Sequence, residues 1–436
     1  MTTGLVIFGL MLTLMALRVP IAAAMFIPGA LGYAFLSSDT ALLNLLKGSA
    51  VARLTVYELS VIPLFLLMGQ FATQGGLSKA LFKAASAWVG HWRGGLAFAA
   101  ILASAAFGAV CGSSVATCAT ITQVAYGEMK AAGYHGRLST AVLATGGTLG
   151  ILIPPSVPLI VYAILTEQNI AKLFAAAFIP GLIAMAGYLA VIAITCRLRP
   201  ELAVPGPRHT WAERWRALLG VWPLLAIFTV VFGGIYGGWF SPTEGASVGA
   251  LATLAGGLLS GELGVNGIKK SLLGTAETTA MVFMIFLGAD MMNSALALTQ
   301  MPAQLAQWVG GLAVPPLAIV AGVLAFYIVL GCVMDELSML LLTIPVIFPT
   351  VMGLDLFGLA AEPKAIWFGI LVLMTVGIGM LAPPVGLNVY VVNGMARDVS
   401  MNETYKGVMP FLASDALRLL ALLFFPAITL GVLRWL

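Results

Sequence analysis

Charged residues are scarce in this sequence. Asp, Glu, Lys and Arg make up only 9% of its 436 residues, whereas 61% are hydrophobic. Because soluble domains carry about 25% charged residues, the composition excludes a soluble globular protein and predicts a chain that crosses a membrane several times. The formal net charge of +4 is small and spread along the chain, so nucleic acid is not an expected partner.

Cysteines, metal-ligating motifs and catalytic motifs are scarce as well. The four cysteines lie in apolar stretches without metal-ligand spacing, which favours small buried side chains over disulfides or metal ligands. The sequence contains no HExxH pair and no nucleophile–histidine arrangement, so an intramembrane enzyme is disfavoured and no cofactor is expected. No basic segment precedes the first apolar stretch, and we therefore expect a retained span rather than a cleaved signal peptide.

Helix-breaking residues interrupt two apolar segments. The first, 138–165, contains GGTLGILIPPS, and the second, 365–395, contains GIGMLAPPVG. Proline lacks an amide donor and clashes with the preceding turn, and glycine disfavours an ordered helix. A broken helix in hydrocarbon leaves polar backbone groups that must face protein, water or an ion. Two such helices in corresponding positions of two halves indicate the binding site of a secondary transporter.

Each broken segment follows an apolar stretch that turns back at a polar tip. Residues 95–131 are interrupted near the middle by the sequence CGSS, which leaves two arms that are each shorter than the roughly 20 residues needed for a full crossing. We therefore predict a re-entrant helical hairpin here. A second hairpin is predicted at 315–350, around the sequence GCVMDE.

The two halves of the chain match in order. A polar, arginine-rich linker at 197–217 separates residues 1–196 from residues 218–436. The number of residues between Gly112 and Gly331 equals the number between two similar apolar sequences that lie upstream of them, one in each half. The prediction is an all-α polytopic membrane protein of two repeats, each with about five crossings, a hairpin and a broken helix. An odd number of crossings inverts the second repeat relative to the first.

The crossings outside the hairpins are apolar runs. They are predicted at about 4–17, 21–37, 50–73, 138–165, 171–196, 218–240, 243–261, 268–298, 365–395 and 409–435. Residues 76–93 have the pattern of an interfacial amphipathic helix. With the linker in the cytoplasm, fifteen of the 21 Lys and Arg residues fall on cytoplasmic loops or ends, as the positive-inside rule expects. Both termini then lie outside the cytoplasm, and the two hairpins enter from opposite sides.

Each hairpin tip is expected to meet its broken helix near mid-membrane and to form an oxygen cage for a small cation. Free carbonyls and the negative ends of half-helices favour cations. The predicted cage residues are Gly112, Ser113, Ser114, Gly150, Ile153 and Pro155 in the first half, and Gly331, Gly379, Ala382 and Val385 in the second. The alternative is that these glycines only allow close helix packing.

Acidic and amide side chains near the breaks are further candidates. Because a charge at the bilayer centre costs about 2.5–3.5 kcal/mol, Asp335 and Glu336 must face water, a partner or an ion. An internal ion pair and a coupling or substrate role both remain open for them, while a structural role is favoured for Glu58, Glu277 and Asp290. The candidate ligands for an organic anion are Asp335, Asn388, Asn393 and Tyr162.

Five stretches closely resemble the large membrane subunit of tripartite ATP-independent periplasmic (TRAP) transporters. They run through nearly the whole chain in family order, at 146–164, 234–244, 330–335, 383–388 and 407–411. The resemblance implies an elevator-type importer in the bacterial inner membrane, with Na+ as the coupling ion at the predicted cages. It also implies two partners, a small four-span membrane subunit and a periplasmic substrate-binding protein. Substrates typical of the family are four-carbon dicarboxylates, sialic acid and similar carboxylates.

Two positions depart from the family pattern. Threonine often precedes the second Pro-Pro pair, and an acidic residue often lies five positions earlier, whereas this chain has Ala382 and Gly377 there. The second cage therefore depends more on backbone carbonyls, and the number of coupled ions stays open. No fused small subunit is expected. A self-sufficient sodium/dicarboxylate symporter of the same superfamily and a channel remain alternatives, and the substrate itself is expected to be chosen by the binding protein.

Overall fold

The computed structural model describes residues 2–311 and 314–435, which contain α-helices, short 3-10 helices and connecting segments but no β-strand. The helices of the first half are α1 (Thr2–Ala16), α2 (Ile21–Leu36), α3 (Asp39–Leu54), α4 (Val61–Gln74), α5 (Leu77–Val89), α6 (Gly95–Cys111), α7 (Ser114–Ala131), α8 (Gly136–Leu152), α9 (Val157–Thr166) and α10 (Ile170–Leu198). The predicted all-α fold is confirmed.

The remaining helices continue the same order. They are α11 (Trp211–Leu219), α12 (Trp222–Tyr236), α13 (Pro242–Leu259), α14 (Val265–Leu298), α15 (Met301–Gly310), α16 (Pro316–Gly331), α17 (Glu336–Met352), α18 (Ala361–Gly379), α19 (Leu387–Met395), α20 (Met401–Phe424) and α21 (Ala427–Leu430). Short 3-10 helices occupy Tyr57–Ser60, Pro200–Leu202 and Gly431–Trp435.

Hairpins and broken helices lie in the predicted stretches. Hairpin one is α6 and α7, joined at residues 112–113, which we call tip one; hairpin two is α16 and α17, joined at residues 332–335, which we call tip two. Helices α8 and α9 are separated by residues 153–156 (break one), and α18 and α19 by residues 380–386 (break two). The Pro–Pro peptide bond in each break is cis.

Five helical segments of the described chain are long and apolar enough to cross a membrane, and seven if each of two bent helix pairs counts as one span. The other predicted crossings are shorter or less apolar: α1 has 15 residues, α2 has 16 and α13 has 18. The count of ten crossings and the residue bounds of the two halves therefore stay predictions.

Three predicted elements differ from the structure. The span predicted at 50–73 is bent by 55° between α3 and the helices from Tyr57 to Gln74. Helix α3 begins after Ser38, whose Oγ accepts a hydrogen bond from the Ala41 amide at 3.2 Å. Polar Asn44, Lys47 and Arg53 lower the hydropathy of this stretch, which is why a hydropathy pattern misses the helix.

The other two differences concern the linker and the last span. Residues predicted as linker form most of α11, which begins with a capping box between Thr210 and Glu213 and is bent by 48° from α12. The last span, predicted at 409–435, begins eight residues earlier because Ser400 caps α20. It ends before Pro426, since the residue that precedes a proline disfavours helical backbone angles.

Corresponding helices of the two halves make corresponding contacts. Helix α2 packs along α14, and α4 packs along α13. The second arm of each hairpin contacts the short helix after the break of the other half, α7 with α19 and α17 with α9. The helices α2, α4, α13 and α14 thus form one body, and the hairpins and broken helices form a second, in which the two halves interlock.

Close contact between α8 and hairpin one requires glycine. A Cβ atom at Gly150 would lie 2.6 Å from the Ser113 carbonyl oxygen and 2.5 Å from Thr117 Oγ1. Real Cβ atoms do not approach backbone oxygens so closely, so a larger residue must displace tip one. Gly127, on an exposed face of α7, has nothing within 4 Å of the same added atom.

We predict that Gly150→Ala lowers the free energy of unfolding by about 1–3 kcal/mol, the usual cost of overpacking. The matched change Gly127→Ala should be neutral or slightly stabilising, because alanine favours helix over glycine. Denaturant-induced unfolding of both variants in detergent micelles measures the difference. Equal stability of the two variants would show that tip one does not dock on α8 as described.

A half-buried ion pair links α3 to α14. The guanidinium of Arg53 forms two hydrogen bonds with the carboxylate of Asp290 and lies over the Phe286 ring. The side chain of Asp290 is 25% exposed. This ion pair agrees with the structural role favoured for Asp290 from the sequence, and that role stays a prediction. The pair Lys172–Glu362, at 2.6 Å, is more exposed, at 43% and 50%.

We predict a coupling free energy of about 1–2 kcal/mol between Arg53→Gln and Asp290→Asn in a double-mutant cycle, within the range for contacting charged residues. The exposed pair should show less than about 1 kcal/mol for Lys172→Gln and Glu362→Gln. Unfolding of the four single and two double variants under one set of conditions gives both values. A coupling at Arg53–Asp290 no larger than at the exposed pair would contradict the predicted role.

Candidate functional site

Break one leaves backbone carbonyls without helical partners. Its two consecutive prolines lack amide hydrogens, so the carbonyls of Gly150 and Ile151, four residues before them, receive no helical hydrogen bond. The amide of Val157, just after the break, donates to the carbonyl of Gly112 in tip one at 3.1 Å. Every residue from 151 to 156 is buried. Break one and tip one therefore form one buried, oxygen-rich junction, which we call junction one.

Tip one is shaped to reach into this junction. Gly112 has a left-handed backbone conformation with φ of +67°, which glycine adopts without a steric cost. A Cβ atom there would lie 3.0 Å from the Pro155 carbonyl oxygen. Of the residues predicted for the first cage, the structure brings Gly112, Ser113 and Ser114 of tip one and its helix start beside Gly150 and Pro155, while Ile153 lies in break one without a hydrogen bond to tip one. Cation binding by these residues stays a prediction.

A carboxylate from the second half closes junction one. Glu336 is the first residue of α17, and its Oε1 accepts hydrogen bonds from the Ser113 hydroxyl at 3.2 Å and from the Ser114 amide at 3.3 Å. Glu336 is only 4% exposed. The two serines predicted as cation ligands are thus in contact with an acidic residue of hairpin two.

Asn388 makes a second contact between the halves. It is fully buried, and its Nδ2 donates to Ser114 Oγ at 2.8 Å and to the Ala144 carbonyl at 3.2 Å. A Cβ atom at Gly147 would lie 2.9 Å from this nitrogen, so glycine is needed in α8 for the contact. Asn388, predicted as a substrate ligand, therefore ties α19 to α7 and α8.

Several buried oxygens in and around junction one have no hydrogen-bond partner among the described residues. They are Glu336 Oε2, Thr117 Oγ1 and Asn388 Oδ1. Buried polar atoms are nearly always hydrogen-bonded, so a group of unpaired acceptors indicates a place for a bound cation or water. Thr117 was not predicted from the sequence, although it lies one helical turn after the two tip serines on α7.

Break two differs from break one in exposure and hydrogen bonding. Residues 383–385 are exposed. The Tyr405 hydroxyl lies 2.9 Å from the Pro384 carbonyl oxygen and 2.7 Å from that of Val385. The Gly379 carbonyl accepts a hydrogen bond from the Ala382 amide at 3.1 Å. Two of the carbonyls predicted for the second cage, those of Gly379 and Val385, thus already have donors, and break two is not equivalent to break one.

Gly331 lies at the start of the predicted interruption. It is the last residue of α16, and a Cβ atom there would lie 3.1 Å from Gly379 Cα. Tip two extends over the next four residues, 332–335, and so is longer than tip one. It ends at Asp335, whose Oδ2 accepts hydrogen bonds from the amides of Leu337 and Ser338 at 3.1 Å. Asp335 is therefore the N-cap of α17.

Two other predicted substrate ligands have partners within the protein. Tyr162 is fully buried, and its hydroxyl donates to the Ala365 carbonyl at 2.6 Å. Asn393 Nδ2 donates to the Val389 carbonyl and to Thr404 Oγ1, both at 3.0 Å. These hydrogen bonds within the protein account for the polar side chains of both residues. A role in substrate binding stays a prediction that their geometry does not support.

Asp335 lines a cavity with a volume of about 690 Å³, which we call the Arg18 cavity. It lies between the turn from α1 to α2, the middle of α14 and the start of α17. Its wall is mostly apolar, and its polar side chains are Arg18, Asp335 and Ser338. Arg18 has a positive φ of 64°, uncommon outside glycine, and makes no ion pair in the described chain. In the sequence, Arg18 counts only as one of the basic residues that indicate the cytoplasmic side of the chain.

Comparisons with known proteins agree on a family. Residues 8–428 match the family described as tripartite ATP-independent periplasmic transporter, DctM component. The C4-dicarboxylate TRAP transporter large permease protein DctM of Pseudomonas aeruginosa is 34% identical over 383 residues, which is 87% of each chain. The sialic acid TRAP transporter large permease protein SiaM of Vibrio cholerae is 28% identical over 92% of each chain.

Two further comparisons involve a longer relative and a solved structure. The isethionate TRAP transporter permease protein DctMQ of Oleidesulfovibrio alaskensis is 28% identical over 97% of this chain and 65% of its own length. The crystal structure of the Alcanivorax borkumensis YdaH transporter superposes with a TM-score of 0.63 over 89% of each chain, at 16% sequence identity, and so shows a shared fold. Because the family match covers nearly the whole chain, this protein is a member of the DctM family, the large permease component of TRAP transporters.

Proposed function

We propose that this chain imports an organic acid anion across the bacterial inner membrane, driven by a sodium gradient. It would act with a small four-span membrane subunit and a periplasmic binding protein that delivers the substrate. The observation that carries the proposal is junction one, where the carbonyls freed by two prolines lie beside the unpaired Thr117 hydroxyl and the buried Glu336 carboxylate. Relatives are named for a dicarboxylate, a sialic acid and a sulfonate, and these compounds share an anionic group.

The donor set of junction one suits sodium. Hard cations prefer oxygen ligands, and this site offers neutral carbonyls at Gly150 and Ile151, the Thr117 hydroxyl and one carboxylate. One negative charge matches one monovalent ion. The negative end of α8 adds to the attraction, because its last carbonyls point toward the break. Break two, in which residues 383–385 are exposed and several carbonyls are already hydrogen-bonded, is a weaker candidate for a second ion.

The Arg18 cavity suits the substrate. It lies between the α2–α14 body and tip two, so that a bound anion would contact both bodies of the protein. Ligand cavities are typically apolar with a few placed polar groups, and Arg18 supplies the positive charge that a carboxylate or sulfonate requires. A movement of the interlocked hairpin body past the α2–α14 body would carry ion and substrate together, which is the elevator mechanism.

We predict that uptake in proteoliposomes needs an inward sodium gradient and all three components. Four-carbon dicarboxylates, sialic acid and isethionate are the substrates to test, each with its loaded binding protein. At least one of them should accumulate with sodium outside, and none should accumulate when choline replaces sodium. Uptake by this chain alone would contradict the need for partners and favour a self-sufficient symporter, and sodium-independent uptake would contradict the coupling.

We predict that Arg18→Gln raises the apparent KM for the transported anion about tenfold to a hundredfold, because a hydrogen bond to a charged group contributes about 1.5–3 kcal/mol. The sodium concentration for half-maximal uptake should stay unchanged, since Arg18 lies outside junction one. Arg197→Gln, at an exposed position at the end of α10, is the matched control and should leave both values unchanged. A wild-type KM in the Arg18 variant would remove this cavity from the transport path.

A further inference from the structure

Glu336 is a buried carboxyl group that has no basic partner among the described residues. The six ion pairs of the described chain involve other residues, and the neighbouring side chain is a second acid, Asp335. Burying an unpaired carboxylate costs several kcal/mol or more. The two hydrogen bonds to Oε1, from Ser113 and Ser114, stabilise the charge only in part. A bound cation or a proton must supply the rest.

The other oxygen of this carboxylate and a hydroxyl of hairpin one are both buried without a hydrogen-bond partner among the described residues. Oε2 of Glu336 is buried and makes no hydrogen bond within the described residues, and the same holds for Thr117 Oγ1. A Cβ atom added at Gly150 would lie 2.5 Å from Thr117 Oγ1 and 2.6 Å from the carbonyl oxygen of Ser113, and the Ser113 hydroxyl donates to Oε1 of the same Glu336 carboxylate. The Gly150 carbonyl, freed by the prolines of break one, completes a set of oxygens contributed by α7, α8 and α17.

We propose that Glu336 Oε2 is a direct ligand of the cation in junction one, although it belongs to the opposite half of the protein. The inference rests on the proposed sodium-coupled function and adds a ligand that the two-cage pattern does not contain. The cation then contacts hairpin one, the first broken helix and hairpin two at once. Its binding holds the two halves of the hairpin body together, and its release leaves the carboxylate without a counter-charge.

The test is sodium-dependent thermal stabilisation of the purified chain in detergent at pH 8, with choline chloride holding ionic strength constant. A ligand that binds only the folded state raises the unfolding temperature as its occupancy increases. Glu336→Gln keeps the size of the side chain and an oxygen for the two serine donors but removes the charge. We expect its half-saturating sodium concentration to rise at least tenfold. Glu277→Gln, at an exposed acid of α14, should behave like the wild type.

A sodium curve of Glu336→Gln identical to that of the wild type would overturn the role of Glu336 and indicate a protonated side chain. If the glutamine variant does not fold, Glu336→Asp is the test: it keeps the charge but withdraws the oxygen by one methylene, and a wild-type curve would again overturn the proposal. Lack of any sodium response in the wild-type chain is a different result, which would contradict sodium coupling itself.

Discussion

Two consecutive prolines in the middle of an apolar segment remove two amide donors, and the fold depends on how the freed carbonyls find partners. The breaks also free amides that follow them, and in both halves such an amide binds the hairpin tip. The amide of Val157 donates to the Gly112 carbonyl, and the amide of Gly386 donates to the Cys332 carbonyl, each at 3.1 Å. Each hairpin tip is thereby bound to the broken helix of its own half. Since unpaired backbone groups cost several kcal/mol in hydrocarbon, tip and break are best regarded as one unit.

The two units then diverge. Break one is buried, and the carbonyls of Gly150 and Ile151 before it accept no hydrogen bond within the described residues. In break two, residues 383–385 are exposed, and the Tyr405 hydroxyl lies within hydrogen-bond distance of the Pro384 and Val385 carbonyls. Contacts across the halves add to the asymmetry, because Glu336 and Asn388 of the second half both reach Ser113 or Ser114 in the first, and no equivalent pair surrounds tip two within the described residues. In our proposal one half therefore binds the ion more tightly, while the other faces the substrate cavity.

Local backbone chemistry made the breaks and tips predictable from the sequence. Proline and glycine act within one helical turn, so the positions of both breaks and of tip one follow from residues such as Gly112 and the Pro-Pro pairs. Tip two lies within the predicted GCVMDE sequence, and it ends at Asp335 because this N-cap residue determines where α17 begins.

Long-range contacts were not predictable in this way. The contact of Glu336 with Ser113 joins residues from different halves and depends on how the hairpins pack, so the sequence left an ion pair and a coupling role equally open. Tyr162 and Asn393 had suitable chemistry for a ligand site, yet their hydrogen-bond partners, Ala365 and Thr404, lie on neighbouring helices. Arg18 lies in a short turn whose place beside tip two no local pattern indicates.

The central claim is that junction one holds a sodium ion between the two halves. An experimental structure of the purified chain in sodium chloride, compared with one in choline chloride, tests it most directly. The account predicts that the structure in sodium chloride has a density peak within coordination distance of the Gly150 carbonyl, Thr117 Oγ1 and the Glu336 carboxylate. The structure in choline chloride should lack this peak. The same density in both salts, or a junction in which Glu336 turns away from tip one while sodium is present, would contradict the account.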